Sequence, residues 1–152
     1  MNFKYYGAFK RMNYAEKKFR SPLVLVHDWY MDYEYYILNL GTHPTAYIVL
    51  EKGDKLFNKP YMDLDWIECH GGLTYSETYL IEEYNCNKKH FYFVKDKWVL
   101  GWDYNHAGDY SGYVWNDSHS RKWTTEEMVD HAQYVIDQIV EYNNEEWKNE
   151  IF

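Results

Sequence analysis

The sequence predicts an α+β fold, a twisted antiparallel sheet of about five or six strands with a C-terminal helix packed on one face. Two patterns carry that prediction. Between residues 23 and 102, short runs rich in Tyr, Trp, Val, Ile and Leu alternate with turn residues, whereas residues 124–142 alone sustain a 3.6-residue apolar period. The length of 152 residues suits a single domain spanning 1–152. Leu, Ile, Val and Phe make up only about a fifth of the chain, so the 18 Tyr and 7 Trp must supply much of the core. Each large ring buries roughly 150–250 Å² and, once buried, needs a partner for its O–H or N–H, so the core is expected to be threaded with hydrogen bonds.

The elements follow in order. Residues 1–22 form a basic aromatic N-terminal segment in which Tyr5, Phe9 and Met12 fall at helical spacing, although Gly7 interrupts the pattern and no cap precedes it. Leu23 to His27, Glu34 to Leu40 and Thr45 to Glu51 read as strands, the second stopped by Gly41 and the third by Lys52-Gly53-Asp54. Residues 52–65, with Gly53, Asn58 and Pro60, show no period and read as a long loop. Trp66 to His70 reads as a short strand ending at Gly71-Gly72, with Thr74 to Ser76 extended beyond it, and residues 82–90 read as polar and turn-like. Phe91 to Val94 and Trp98 to Trp102 flank Lys95-Asp96-Lys97 as a hairpin, and residues 104–122 form a second long loop. The C-terminal helix, 124–142, opens on a capping box of Thr124 and Glu127 and carries a stripe of Met128, Ala132, Val135, Ile136, Ile139 and Val140. The loops at 52–65, 71–76 and 103–122 are expected to gather at one edge of the sheet.

Charge and cysteine usage narrow the function classes. The net charge is −8, yet residues 1–20 carry Lys4, Lys10, Arg11, Lys17, Lys18 and Arg20 against Glu16 alone. So acidic a remainder repels nucleic acid, and direct nucleic-acid binding is disfavoured. The same surplus either imitates nucleic acid or simply keeps a Tyr-rich surface soluble. Cys69 and Cys86 are too few and too far apart for a disulfide scaffold or a Cys-x-x-Cys motif, and both read as reduced thiols. No window approaches the roughly 18 apolar residues that cross a bilayer, and residues 1–20 lack the apolar core of a secretory signal, so a cytoplasmic protein without a membrane partner is expected.

Two segments hold the most concentrated polar chemistry. The first is His70-Gly71-Gly72-Leu73-Thr74-Tyr75-Ser76, and the second runs from Gly101 through Trp102, Asp103, Tyr104, Asn105, His106 and Gly108 to Asp109. Each begins where a strand is expected to end. His70, Asp103, His106 and Asp109 are the candidate catalytic residues, since Asp and His together orient a base, bind a metal or contact a phosphate. Gly71, Gly72, Thr74, Tyr75, Ser76 and Trp102 are the candidate ligand-binding residues, the glycines offering N–H groups to an anionic oxygen and the hydroxyls adding to them. Plainer readings stand beside these. The Gly pair also fits a hairpin turn, either His a core histidine bonded to a carbonyl, and Asp103 and Asp109 turn residues with local backbone bonds. No Cys/His spacing marks a zinc site, so no metal ligand is assigned, and His27, His43, His90, His119 and His131 receive no role.

The stretch from Tyr47 to Ser76, with Lys52-Gly53, Asp63, Asp65 and the His70 to Ser76 motif, resembles an uncharacterised family of small proteins encoded by phages and prophages of low-GC Gram-positive bacteria. Trp98 to Asp109 resembles its second motif, a strand followed by Gly-aromatic-Asp-x-x-His-x-Gly-Asp, and the likeness extends over roughly residues 43–142. The family usually has Phe and Cys where Trp102 and Tyr104 stand, and the 110–123 insertion is longer here. The resemblance implies a phage accessory protein acting in the bacterial host cytoplasm, of the sort that counters host defence by blocking a nuclease or by sequestering or degrading a signalling nucleotide.

Three functions remain open at this point. The protein binds a nucleotide-type ligand in a His/Asp/Gly-lined cleft; or it cleaves that ligand at a phosphodiester or glycosidic bond, as a phosphodiesterase or nucleotide hydrolase; or it is an acidic nucleic-acid mimic that inhibits a host nuclease or other DNA-binding protein. Trp66, Tyr75, Trp102, Tyr104 and Tyr110 near the motifs suit base stacking in the first two. Glu126, Glu127, Asp130, Asp137, Glu141, Glu145, Glu146 and Glu150 against Lys148 suit the third. The partner is accordingly a nucleotide-type small molecule or a host defence protein, and the residues indicate neither a cofactor nor an oligomeric state.

Overall fold

The computed structural model describes residues 23–40, 43–85, 88–93, 96–110 and 120–151, with backbone alone for 23, 80–85, 88–93 and 146–151. The N-terminal segment 1–22, Cys86 and much of the 110–123 insertion therefore lie outside the described residues. Five strands make one open antiparallel sheet in the spatial order β1-β2-β3-β7-β4: β1 (Leu23–Tyr30), β2 (Tyr33–Asn39), β3 (Pro44–Leu50), β4 (Tyr75–Glu77) and β7 (Trp98–Asp103). β5 (Tyr79–Asn85) and β6 (Lys88–Phe93) pair with each other as a separate antiparallel ribbon. Among the described residues one long helix, α1 (Thr125–Ile151), packs against β1, β2 and β3.

Alternation along the strands builds two apolar layers. Tyr35, Ile37, Ala46, Ile48, Leu50, Leu100 and Trp102 point to the helix side and meet Met128, Ala132, Val135, Ile136 and Ile139 of α1. Tyr36, Leu38, Tyr47, Val49 and Val99 point the other way, with Tyr75 against them. All seven residues of β3 are buried, which its continuous apolar run anticipates for a strand covered on both faces. β1 and β2 join through Met31 and Asp32, both at positive φ, as in a two-residue hairpin turn. Gly101 sits where β7 crosses the Tyr47 ring: a Cβ there would lie 2.7 Å from Tyr47 Cδ1 and 2.8 Å from the Ala46 carbonyl oxygen.

The capping box forms as the sequence indicates. The Glu127 N–H donates to Thr124 Oγ1 and the Thr124 N–H to Glu127 Oε1, both at 3.1 Å. The helix runs nine residues past the expected end at 142, because no Gly or Pro interrupts Asn143 to Glu150. No helix among the described residues is long and apolar enough to cross a membrane.

Four expectations are corrected. Trp66 to His70 is not a strand: the chain turns at Leu64 to Ile67, and Glu68 finds its partner in a helix side chain, its N–H donating to Gln138 Oε1 at 2.8 Å and its carbonyl accepting from Gln138 Nε2 at 2.7 Å. Residues 82–90 are mostly strand. Phe91 to Phe93 pairs with Tyr79 to Ile81, whereas β7 is flanked by β3 and β4, so the hairpin expected across Lys95 to Lys97 does not exist. Finally, residues 52–65 reach the 71–76 segment through the Tyr61 N–H, which donates to Ser76 Oγ, but they begin at the opposite end of the sheet from the loop that follows β7. The 52–65 segment starts beside Asn143, which accepts from the Lys55 N–H at 3.1 Å, passes Trp66 stacked on Tyr142, and brings His70 alongside His131. Those twelve residues of α1 span about 18 Å, so Asp54 and Gly71 stand at opposite ends of the helix-packed face.

Candidate functional site

Two turns converge where β7 leaves the sheet. After Cys69 the chain reverses through Gly71 and Gly72, at φ of +73° and +81°, with the Gly72 N–H donating to the Cys69 carbonyl at 3.0 Å. At the end of β7, Tyr104 donates its N–H to the Pro44 carbonyl, and the chain then folds back so that the Asp109 N–H reaches the His106 carbonyl at 2.9 Å. Gly71 permits the meeting of the two: a Cβ there would fall 2.3 Å from His106 Cε1. His70 and His106 consequently stand edge to face with ring centres 5.4 Å apart.

Asp109 is the hub. Its side chain is 4% exposed and takes His70 Nε2 at 3.0 and 2.9 Å on its two oxygens, Trp123 Nε1–H at 2.8 Å and the His106 N–H at 3.0 Å, with His106 Nδ1 at 3.3 Å. Burial alone pushes this carboxyl up, but the bonds from His70, the His106 N–H and Trp123 together outweigh it and hold the group below its ordinary range. Asp109 is thus a carboxylate held by donors from three segments. Asp103 Oδ1 lies 3.7 Å from His106 Nε2, on the far side of that ring.

A ring stack supports the cluster from below. His70 lies flat on Tyr104, with centroids 4.7 Å apart and planes 11° apart, and Trp123 meets it edge-on at 4.9 Å. Trp102 Nε1–H donates to Tyr104 Oη at 3.2 Å, and Tyr104 Oη in turn lies 2.8 Å from His131 Nδ1. Burial drives His131 down from its usual pKa, with His70 adding to the shift, and burial drives Tyr104 up. Both shifts favour the uncharged forms, so Tyr104 and His131 share a neutral hydrogen bond whose direction follows the His131 tautomer. Beside this stack is a cavity of about 260 Å³ lined by Glu68, Cys69, His70, His131 and Tyr134. Burial pushes the Cys69 thiol up to about 12, which leaves it protonated and a poor nucleophile.

The structure thus brings His70, Asp103, His106 and Asp109 together at one place, as the two motifs suggest. The ligand-binding set is dispersed. Trp102 is fully buried and its indole N–H is used inside the core, so it offers no stacking face. The Gly72 N–H is spent on its own turn, and the Thr74 N–H on the Gly101 carbonyl. Tyr75 packs edge-on against Tyr47 and donates to the Tyr79 carbonyl, while Ser76 Oγ accepts from the Tyr61 N–H at 3.0 Å. Tyr75 and Ser76 alternate to opposite faces of the sheet, the first toward Tyr47 and the second toward Tyr61. Gly71 belongs to the site through its close approach to the His106 ring.

Three neighbours escaped the sequence reading. His131 sits beside the apolar stripe of α1, and Trp123 just precedes the cap. His43 immediately precedes β3; because Thr45 pairs with Asp103, it falls beside the chain leaving β7. Burial lowers its pKa, with Asp103, His106 and Asp109 close enough to act on it. No protein-family model, curated protein or solved structure matches this chain.

Proposed function

We propose that the cluster at His70, His106 and Asp109 binds and hydrolyses a phosphate-bearing, nucleotide-type ligand, and that the protein is a phage accessory factor countering host defence in the bacterial cytoplasm. The observation that carries the reading is the buried Asp109 carboxylate shared by two histidines, next to a cavity and to cationic residues in a chain of net charge −8. Arg121 bridges to Asp109 through the backbone and lies 4.1 Å over the Trp123 ring, and Lys122 lies 5.0 Å over Tyr110. Lys122 is an exposed cation that suits a phosphate, while Arg121 shares its charge with Glu127 and adds to the site only in part.

The mimic reading draws less support. Glu127 pairs with Arg121 and closes the helix cap, and Asp137 accepts from Tyr30, so two of the acids it needs are engaged within the chain. The test is thermal-shift and cleavage screening against nucleotides, cyclic dinucleotides and ADP-ribose derivatives. A true ligand raises the melting temperature with the logarithm of its concentration, and His70→Ala with His106→Ala abolishes turnover. A flat response across all compounds rejects the proposal.

A further inference from the structure

We infer that His70, His106 and Asp109 form a binding site for a divalent transition-metal ion. One donor atom from each lies within 4.8 Å of the other two. Two donors held about 2.0–2.1 Å from a tetrahedral ion stand about 3.3 Å apart. The separation of His106 Nδ1 from Asp109 Oδ2 is 3.3 Å, and His70 Nε2 stands 2.9 Å from that same oxygen. The widest pair therefore closes by at most about 1.5 Å to reach ligand spacing. Rotation of His106, whose side chain is 34% exposed, supplies that movement.

The outer partners that a metal site needs are also in place. A ligating carboxylate is normally fixed by hydrogen bonds, and Asp109 takes them from Trp123 Nε1 and the His106 N–H. A ligating imidazole normally turns its other nitrogen toward a carboxylate; with His106 Nδ1 on the ion, Nε2 faces Asp103 Oδ1 at 3.7 Å. His70 is held in orientation by Tyr104 beneath it and Trp123 at its edge. Gly71 keeps space for the His106 ring that any side chain would fill. Two imidazoles and one carboxylate without a thiolate suit Zn²⁺, Mn²⁺, Fe²⁺ or Co²⁺ above Ca²⁺ or Mg²⁺. Three protein donors leave at least one coordination position for water or a ligand atom, and His70 also lines the adjacent cavity. The inference rests on reading this cluster as the functional site, but not on hydrolysis.

The experiment is a titration of EDTA-dialysed protein with Zn²⁺ by calorimetry and with Co²⁺ by visible absorption. One equivalent is expected to bind at about 10 μM or tighter, and Co²⁺ should show the intense bands of four- or five-coordination. His70→Gln and His106→Gln should each weaken binding by at least about 100-fold, and Asp103→Asn by about 10-fold to 100-fold. His106 lies on a partly exposed turn, so H106Q decides the matter if the His70 variant does not fold. Absence of Zn²⁺ and Co²⁺ binding, or one-to-one binding unchanged in H106Q, overturns the assignment. Thermal shifts with nucleotides in EDTA separate the two proposals: a response there without Zn²⁺ binding defeats the metal site alone, and Zn²⁺ binding with no nucleotide response at any metal concentration defeats the nucleotide reading alone.

Discussion

Replacing Tyr104 by Phe removes one oxygen and tests whether the core and the histidine cluster share a foundation. Tyr104 and Trp102 are both fully buried, and the Trp102 indole N–H donates to the Tyr104 hydroxyl at 3.2 Å. Phe fills the same space, so no cavity opens, but the indole N–H loses its acceptor where water does not reach. An orphaned buried donor costs about 1–3 kcal/mol, and the bond between Tyr104 and His131 contributes a further 0.5–1.5 kcal/mol or so, less here because half-exposed His131 can turn to water. The expected loss is about 2–4 kcal/mol, which in a chain of this length lowers the melting temperature by about 5–15 °C. Urea unfolding followed by tryptophan fluorescence measures it, with an unchanged m-value indicating that the unfolded state is not altered. Adding Trp102→Phe removes the stranded donor, so the double variant should lose less than the sum of the two single losses. A Tyr104→Phe protein within about 0.5 kcal/mol of wild type would refute the reasoning.

The glycine pair separates two effects. Gly71→Ala meets both a positive φ and the His106 ring, and should cost about 1–3 kcal/mol and shift the His106 ring resonances, whereas Gly72→Ala has open space around it and should pay only about 1 kcal/mol of backbone strain with those resonances in place. Gln138→Ala, which frees both backbone groups of Glu68, should destabilise by about 1–2 kcal/mol in the same unfolding assay and speed amide exchange at Glu68. At Glu127, burial works against the charged form, but Arg121 and Thr124 outweigh it and hold the carboxyl below its ordinary value. A lowered carboxyl contributes stability above its unfolded pKa and loses it as pH falls through the folded one, so the advantage of wild type over Glu127→Gln should be present at pH 7 and fade below about pH 4.

The fold was legible where burial imposed a period. β2 and β3 and the stripe from Met128 to Ile139 face a core, so their apolar spacing had to match their geometry. Residues 82–90 carry Glu82, Glu83, Asn85, Lys88 and Lys89, a composition with no alternation to read, and the β5–β6 ribbon is held by backbone pairing that any side chains permit. Trp66 to Glu68 misled for the opposite reason. Its aromatic and β-branched residues look like a strand, but Ile67 is buried in the core under α1, exposed Trp66 stacks on Tyr142, and the hydrogen bonds a strand would draw from a neighbour come from the side-chain amide of Gln138.

At the site, sequence disclosed the participants that recur in short motifs and hid those that only folding assembles. His70-Gly71-Gly72 and Asp103-x-x-His106-x-x-Asp109 announce themselves through spacing, yet their spacing does not reveal that the first His and the last Asp form the central pair, 39 residues apart. His43 and His131 look like isolated histidines on a strand margin and a helix. They become neighbours of the cluster because β3 and β7 run antiparallel with Thr45 opposite Asp103, and because residues 55–70 run back along α1 until His70 meets His131. The same folding takes Trp102 away from the site: alternation in β7 turns it to the helix side, where its ring fills the core and its N–H fixes Tyr104, so its contribution to His70 passes through the ring stacked beneath that histidine.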